Sequence, residues 1–138
     1  MKAFRKVMAL ILALTICLGM ALSLASCGGG KDDETIEITD MSGTTVKIPK
    51  SPKKVAAVSP STGDLMIAFG LGDLLDGTYY STLNNPWAKE IYPESESFYG
   101  YDYDNSVETF VMQGVDLIFI PEPSVAQTLR DHGLNALC

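Results

Sequence analysis

Aromatic side chains that could contact a ligand are concentrated in one stretch of the chain. All six tyrosines lie between residues 79 and 103, and the single tryptophan, Trp87, lies there too. A phenol or indole ring combines apolar area with a polar atom at its edge, which suits a ligand of mixed surface. A phenolate oxygen is also a hard donor, of the kind that ferric iron prefers. The residue types therefore indicate recognition of a metal chelate.

Ordinary half-buried packing is the alternative for each of these rings. For Tyr79 and Tyr92 packing is the favoured interpretation. Ligand contact and packing both stay open for four rings: Tyr80, Trp87, Tyr99 and Tyr101.

A second candidate site is the hydroxyl pair Ser61 and Thr62, which precedes a predicted helix. Ser61, with Asp64 three residues later, suits a helix N-terminus, so capping is one role. Free backbone N–H groups at such an end also bind anions, which would suit an oxyanion such as molybdate.

Catalytic chemistry finds little support in the residues. His132 is the only histidine, so a histidine-cluster metal site is excluded for this sequence, and there is no G-x-S-x-G motif. The sequence predicts a binding protein and not an enzyme, with no cofactor.

Alternating strands and helices must position these side chains. Residues 35–39 and 45–48 alternate apolar and polar types around a turn, which predicts a β-hairpin. Buried strands are then predicted at 55–58, 74–79, 115–120 and from 134 onward, with helices starting near residues 61, 86, 105 and 123. Such alternation indicates an α/β fold with a mostly parallel sheet. In such a sheet ligands bind beyond the carboxyl ends of the strands, where the loops 59–62, 79–87, 99–105 and 121–124 fall.

The predicted helix faces make the packing expectation specific. Leu65, Ala68 and Phe69 share a face of the first helix, and we expect that face to turn inward. In the third and fourth helices the expected inward residues are Val107, Phe110 and Val111, then Val125 and Leu129.

The beginning of the chain has the pattern of a secretory signal. Three basic residues precede an apolar run that ends in Leu24-Ala25-Ser26-Cys27. This ending resembles the bacterial lipobox, in which the cysteine is acylated and becomes the mature N-terminus. The run from Val7 to Ala25 approaches a membrane span in length, but a retained anchor would not explain the terminal Ala-Ser-Cys. We therefore predict a signal at 1–26, lipidation of Cys27 and a flexible tether at 27–35, followed by one α/β unit at 36–138. The predicted location is outside the cytoplasm, attached to the cell membrane by lipid.

The charge of the expected mature chain limits its partners. After loss of Lys2, Arg5 and Lys6, it would carry 7 Lys and Arg against 17 Asp and Glu. A surface this acidic repels phosphate backbones, so nucleic acid is not an expected partner.

Several segments, in order, are similar to a known family. They are Ile38-Thr39-Asp40, Ile48-Pro49, Pro52-Lys53-Lys54-Val55, Ser59-Pro60-Ser61-Thr62, Phe69-Gly70-Leu71-Gly72-Asp73 and Gly114-Val115-Asp116-Leu117-Ile118. The pattern resembles the opening of the extracytoplasmic substrate-binding proteins that serve ABC importers of ferric siderophores, haem and cobalamin. The likeness spans residues 36–138, with Val115 where the family usually has proline.

The resemblance implies a fold, a function and partners. Family members have two α/β lobes joined by a long helix and hold the ligand between them, so this chain would be the N-terminal lobe of a longer protein. It would capture a metal chelate, in the first place a ferric siderophore, and deliver it to an ABC permease. The resemblance also implies a permease-docking role for Asp64, which stands at the family's usual glutamate position. Molybdate, tungstate or cobalamin binding is the alternative on the same fold. A short surface lipoprotein that binds another protein or the cell wall is the alternative of another class.

Overall fold

The described part of a computed structural model comprises residues 34–138. The predicted signal, Cys27 and the tether up to residue 33 lie outside the described residues. The strands are β1 Thr35–Thr39, β2 Thr45–Pro49, β3 Val55–Ala57, β4 Leu75–Tyr79, β5 Tyr99–Tyr101, β6 Leu117–Phe119 and β7 Ala136–Leu137. The α-helices are α1 Pro60–Ala68, α2 Tyr80–Leu83, α3 Pro86–Ile91, α4 Val107–Gln113 and α5 Pro123–Asp131, with 3₁₀ turns at Gly72–Leu74 and Pro93–Ser97. Within residues 34–138, no helix has both the length and the apolar character of a membrane span.

The β-hairpin prediction is confirmed. β1 and β2 pair antiparallel, from Thr35 opposite Pro49 to Thr39 opposite Thr45. Asp40 organises the turn, because its Oδ1 accepts hydrogen bonds from the backbone N–H groups of Ser42 and Thr44 at 3.0 and 3.1 Å. Such side chain to backbone bonds are the physical reason that aspartate favours turns.

The remaining strands form one parallel sheet, which confirms the predicted α/β fold. Its strand order is β5-β4-β3-β6-β7, and all four pairings are parallel. The chain moves from β3 outward to β5 and then returns to the other side of β3 to form β6. The strand order therefore reverses between β3 and β6, which leaves a crevice beyond their carboxyl ends.

The two faces of this sheet have separate cores. On the first face, helices α4 and α5 bring Phe110 and Leu129 against Tyr101 of β5 and Ile118 of β6, and all four are at most 1% exposed. On the second face, α1, α3 and the hairpin bring Ile67, Ala88 and Ile48 against the sheet. Adjacent strand residues such as Leu117 and Ile118 belong to different cores, as the alternation of side chains along a strand requires.

The predicted inward face of α1 is wrong. Leu65 and Phe69 are 54% and 74% exposed, whereas Gly63 and Ile67 are buried. Gly63 explains the choice, because a Cβ atom there would lie 1.9 Å from Oγ1 of Thr78 in β4. The helix approaches the sheet through Gly63 and Ile67, whereas Leu65 and Phe69 turn away.

The exposed side of α1 borders an apolar groove on the second face. Pro52, Val55 and Leu117 contribute to a cavity of about 350 Å³, together with Leu65 and Phe69 of the helix.

Helix α4 agrees with its predicted inward face only in part. Phe110 is buried as predicted, whereas Val111 is 59% exposed.

A polar clasp joins the hairpin turn to the far edge of the sheet. Oδ2 of Asp40 accepts hydrogen bonds from Nη1 of Arg130 in α5 at 3.1 Å and from the backbone N–H of Cys138 at 3.0 Å. The side chains of Asp40 and Arg130 are 1% and 12% exposed. The Ser42 hydroxyl bonded to the same carboxylate is the main cause that holds the pKa of Asp40 well below its usual range, and the backbone N–H group of Cys138 adds to it, while burial acts in the opposite direction. The hairpin is therefore fixed to the sheet by a largely buried charge pair.

Candidate functional site

The crevice between β3 and β6 contains a cavity of about 280 Å³. Its lining joins the start of α1, the residues after β6, the hairpin turn and the chain end at Cys138. The lining residues are Met41, Ser59, Ser61, Thr62, Phe119, Ile120, Pro121, Leu137 and Cys138. Its position at the point where the strand order reverses is the usual ligand position in open α/β sheets.

Hydroxyl groups form the polar side of this cavity. The oxygens of Ser59 and Ser61 lie 3.0 Å apart, and Thr62 follows on the same helix. The N-cap of α1 is Ser59, which has extended backbone angles, so the predicted capping role of Ser61 is wrong. Because Ser61 and Thr62 both line the cavity, they stay candidates for ligand contact.

Three tyrosines form a cluster at the same edge of the sheet. Tyr79 ends β4, Tyr80 begins α2, and Tyr103 lies two residues beyond β5. The ring of Tyr79 stacks on that of Tyr103 with centroids 4.7 Å apart and 29° between the planes, and it is tilted against Tyr80 at 4.4 Å. We call Tyr79, Tyr80 and Tyr103 the ring cluster.

Electrostatics keep the central phenol of the ring cluster neutral. The hydroxyl of Tyr80 is the main cause that raises the pKa of Tyr79 well above its usual value, followed by burial and by the charge of Asp102. Asp102 also fixes the neighbouring loop, because its Oδ1 accepts a hydrogen bond from the backbone N–H of Tyr103 at 2.7 Å. A raised pKa means that this phenol donates hydrogen bonds and does not present an anionic oxygen.

A second cavity connects the ring cluster to the crevice. Tyr103 lines a space of about 310 Å³ with Pro121 and Glu122, and Pro121 also lines the first cavity. The two cavities together form one candidate site along the carboxyl edge of the sheet, which we call the edge site.

Tyr101 lies outside the edge site, and its predicted ligand contact is wrong. The residue is 0% exposed, and its ring stacks on Phe110 at 5.2 Å with 8° between the planes. Its hydroxyl donates to Oδ2 of Asp76 at 2.6 Å, while Oδ1 of Asp76 lies 2.9 Å from Nζ of Lys54. Burial, with this carboxylate next, raises the pKa of Tyr101 above its usual range. The phenol is therefore a buried structural donor.

Tyr99 and Trp87 do not line the two edge cavities. Tyr99 begins β5, and its ring lies 4.8 Å from that of Tyr101, away from the carboxyl edge. Trp87 in α3 is half-buried and packs against the core of the second face. Of the rings left open between contact and packing, only Tyr80 belongs to the ring cluster.

Tyr92 has the packing role that the sequence predicts. Its ring is half-buried and stacks on Phe98 at 5.6 Å, near the amino ends of the strands. Its hydroxyl donates to Oδ1 of Asp73 at 2.6 Å, which is the main cause that raises the pKa of Tyr92 to about 12.

Asp64 has a mixed environment on α1. The residue is half-buried, and among the described residues its Oδ1 is buried without a hydrogen-bond partner.

Residues 34–138 contain no group of three or more His, Cys, Asp or Glu side chains placed to hold a metal ion.

Sequence reasoning placed Tyr103 and Pro121 within the predicted ligand loops without singling them out as site residues, and it missed Met41 altogether. It also interpreted β5 as part of a loop. The pattern Tyr99-Gly100-Tyr101 followed by the turn residues 102–105 is the signal that could have placed it. Met41 comes from the hairpin, whose position over the sheet depends on the clasp and has no local signal.

Comparison with known proteins gives one curated relative. The sequence matches no family model. It is 28% identical over 134 residues to the uncharacterized ABC transporter substrate-binding lipoprotein YvrC of Bacillus subtilis. The match covers 85% of this chain and 41% of that protein, so the chain spans less than half the length of its relative.

Solved structures share the fold at low identity. A periplasmic solute-binding protein of Veillonella parvula superposes with a TM-score of 0.66 at 24% identity, over 75% of this chain and 35% of that one. The molybdate-binding protein MolA of Haemophilus influenzae gives 0.65 at 16% identity, over 74% and 33%. The haem-binding protein HmuT gives 0.55 at 14% identity, over 81% and 36%. The chain thus has the fold of one lobe of periplasmic binding proteins.

Proposed function

We propose that this chain is the N-terminal lobe of the solute-binding component of an ABC importer, and that its edge site contributes half of a cleft for a metal chelate. The observation that supports the proposal most is the cavity between β3 and β6, where the strand order reverses. The likeness to YvrC supports the transport class, and the match to only 41% of that protein supports a second lobe in the complete protein.

The ring cluster favours a chelate as the ligand. Tyr103 lines the edge site and is 37% exposed, and its ring stacks on Tyr79, which in turn contacts the half-exposed Tyr80, so apolar area and hydroxyl groups are offered together. Large rings suit the mixed surface of a chelate better than a small oxyanion. A ferric siderophore is the first candidate, and the proposed chemistry is capture and release without bond breaking.

Molybdate is the second candidate, and one feature of the site favours it. Three hydroxyl residues at the start of α1 line the first cavity, and a helix N-terminus attracts anions. MolA, which has the same fold, was solved with molybdate bound. The exposed carboxylate of Glu122 at the edge site opposes an anion, and this is why we place the chelate first.

Docking and anchoring complete the proposal. Asp64, which is half-buried on α1, would meet a cationic side chain of the permease through the accessible part of its side chain. Cys27 would carry the lipid that holds the protein at the outer side of the cell membrane. Labelling with a palmitate analogue tests this point, and equal labelling of the wild type and of Cys27→Ala would refute it.

Ligand titration of the full-length protein tests the binding function. Fluorescence of Trp87 would be followed while a ferric siderophore, haem, cobalamin and molybdate are added in turn. We expect saturable binding of a chelate that survives in Ser61→Ala and in the control Ser97→Ala, which is exposed outside the edge site. Tight molybdate binding that is lost only in Ser61→Ala would show that the ligand is an oxyanion and not a chelate. Absence of binding by every ligand would contradict the solute-binding proposal.

A further inference from the structure

Met41 differs from the other described methionines in its position and its exposure. It lies in the hairpin turn, is 96% exposed and lines the cavity between β3 and β6. Met112 is 85% exposed but belongs to α4, and Met66 is half-buried against the core of the second face. Within residues 34–138, Met41 is therefore the one methionine that is both open to solvent and part of the edge site.

The backbone of Met41 is held in place although its side chain is open. Its N–H donates to the carbonyl of Cys138 at 3.1 Å, and the N–H of Cys138 donates to Oδ2 of Asp40 at 3.0 Å. Oδ1 of the same carboxylate accepts the N–H groups of Ser42 and Thr44 and so closes the turn. The turn fixes the starting point of the Met41 side chain beside the cavity and leaves its three torsions free to rotate.

A thioether in this position suits contact with a ligand that has apolar parts. Methionine is unbranched and polarisable, so it adapts to irregular shapes and makes favourable contacts with aromatic groups. The same cavity is lined by the apolar side chains of Phe119, Ile120 and Leu137. A ligand that enters this space meets Met41 as an adaptable apolar contact on a fixed backbone.

We propose that Met41 is a ligand contact of the edge site and that oxidation of its sulfur to the sulfoxide weakens ligand binding. The inference rests on the proposed binding function and adds an oxidation-sensitive contact to the same site. In the reaction the sulfur attacks hydrogen peroxide, the O–O bond breaks, one oxygen forms the S=O bond and the other leaves as water. The sulfur is oxidised and the peroxide is reduced, so no further reactant is needed. The sulfoxide is polar and no longer favours the apolar lining around Phe119 and Leu137.

Cys138 is another sulfur-bearing residue in the lining of this cavity, and its oxidation would be a different effect. It is a half-buried free thiol. Burial raises the pKa of Cys138, which lowers the fraction of reactive thiolate. The test must therefore separate a loss of binding caused by Met41 from one caused by Cys138.

Oxidation followed by titration tests the inference on the full-length protein. Wild type, Met41→Leu and the control Met112→Leu are treated with hydrogen peroxide, and the peroxide is then removed. An iron(III) trihydroxamate, cobalamin and molybdate are titrated by fluorescence, and each treated protein is compared with its own untreated sample. Peptide mass spectrometry measures the fraction of sulfoxide at each methionine. Met41→Leu keeps an apolar side chain of similar size and removes the oxidisable sulfur.

Loss of the thioether contact predicts a specific result. In wild type and in Met112→Leu, treatment should weaken binding of the probe that the untreated protein binds by about three- to tenfold. Treated Met41→Leu should keep the affinity of its untreated sample, and methionine sulfoxide reductase should restore the affinity of treated wild type.

Two outcomes would overturn the inference. One is an equal loss of affinity in treated Met41→Leu, which would assign the effect to another group such as Cys138. The other is unchanged affinity in wild type whose Met41 is fully oxidised. If no probe binds the untreated wild type, the proposed function itself fails and the inference falls with it, whereas either of the first two outcomes leaves the proposed function standing.

Discussion

The two faces of the parallel sheet differ in how well the described residues cover them. On the first face, Phe110 and Leu129 are at most 1% exposed and two helices cover the strands. On the second face a groove lies beside α1, and Phe69 at its border is 74% exposed. The same alternation of apolar residues in the strands supplies both faces, so the difference comes from the covering elements. A parallel strand is stable when both of its sides are buried, and the strand residues on the second face are buried too, with Val55 and Leu117 only 1% and 3% exposed. The groove therefore exposes the outer side of α1 and not the sheet itself.

Removal of a buried side chain from the core on the first face should have the largest effect on the free energy of unfolding. Phe110→Ala removes the ring that stacks on Tyr101, in a position with no exposed surface. We expect a loss of about 3–5 kcal/mol in the free energy of unfolding, because a buried aromatic leaves a cavity. Urea unfolding followed by circular dichroism measures it, with Met112→Ala on the same helix as the control, since Met112 is 85% exposed. Similar losses for both variants would remove the contrast between core and surface on this face.

Loss of the clasp should loosen the cover of the second face and have the next largest effect. Asp40→Ala removes the acceptor of Arg130 and of the Cys138 backbone. We expect a lower Tm and faster hydrogen exchange in β1 and β2, while the amides of α4 keep their protection. The control is Asp104→Ala, whose side chain is exposed. An equal loss of amide protection in the hairpin and in α4 would show that the hairpin does not open independently of the first face.

The clasp also predicts the acid response. Because the folded pKa of Asp40 is lowered, its contribution to stability is complete above the unfolded value of about 3.9 and is lost as the pH falls below it. Between neutral pH and pH about 5, Asp40 should therefore contribute no pH dependence. Thermal scans from neutral pH down to about pH 2 compare the wild type with Asp40→Ala, and the Tm of the wild type should fall more steeply below pH 4. Parallel curves there would contradict the role of Asp40.

A change in the groove should have the smallest effect on stability. Phe69→Ser exchanges a largely exposed ring for a polar side chain, so the free energy of unfolding of residues 34–138 should change by no more than about 0.5 kcal/mol. Binding of a dye that fluoresces on apolar surfaces should fall, because the groove loses part of its border. A large destabilisation would mean that Phe69 is buried in solution and that the two faces are equally covered.

The sequence predicts the fold better than the site, and particular residues show why. The strands β3 and β6 are short apolar runs, and the hairpin alternates over nearly its whole length, so local patterns identify them. Gly114 ends α4 with a φ of 65°, as its position after the apolar positions of the helix indicates. These features depend on neighbours in the sequence.

The errors depend on contacts between distant residues. Leu65 and Phe69 have the periodicity of a buried face, but Gly63 meets Thr78 and decides which side of α1 approaches the sheet. Tyr101 is of a residue type that suits ligand contact, but its position in β5 stacks its ring on Phe110. Met41 enters the edge site because its backbone N–H donates to the carbonyl of Cys138 and because Asp40 is bonded to Arg130, which is 90 residues away. Such pairings have no signal in a local window.

The hairpin also determines where mechanical tension would enter this lobe. A pull on the chain ahead of Glu34 first loads the junction with Lys50, whose backbone N–H donates to the Glu34 carbonyl at 2.8 Å and whose Nζ lies 2.7 Å from its carboxylate. The force then runs along β1, where the bonds to β2 share it in shear. The clasp is the next support, since it holds the turn that carries Met41 beside the edge site. A pull ahead of Glu34 would in this way leave the cavity beside Met41 undeformed until the clasp yields.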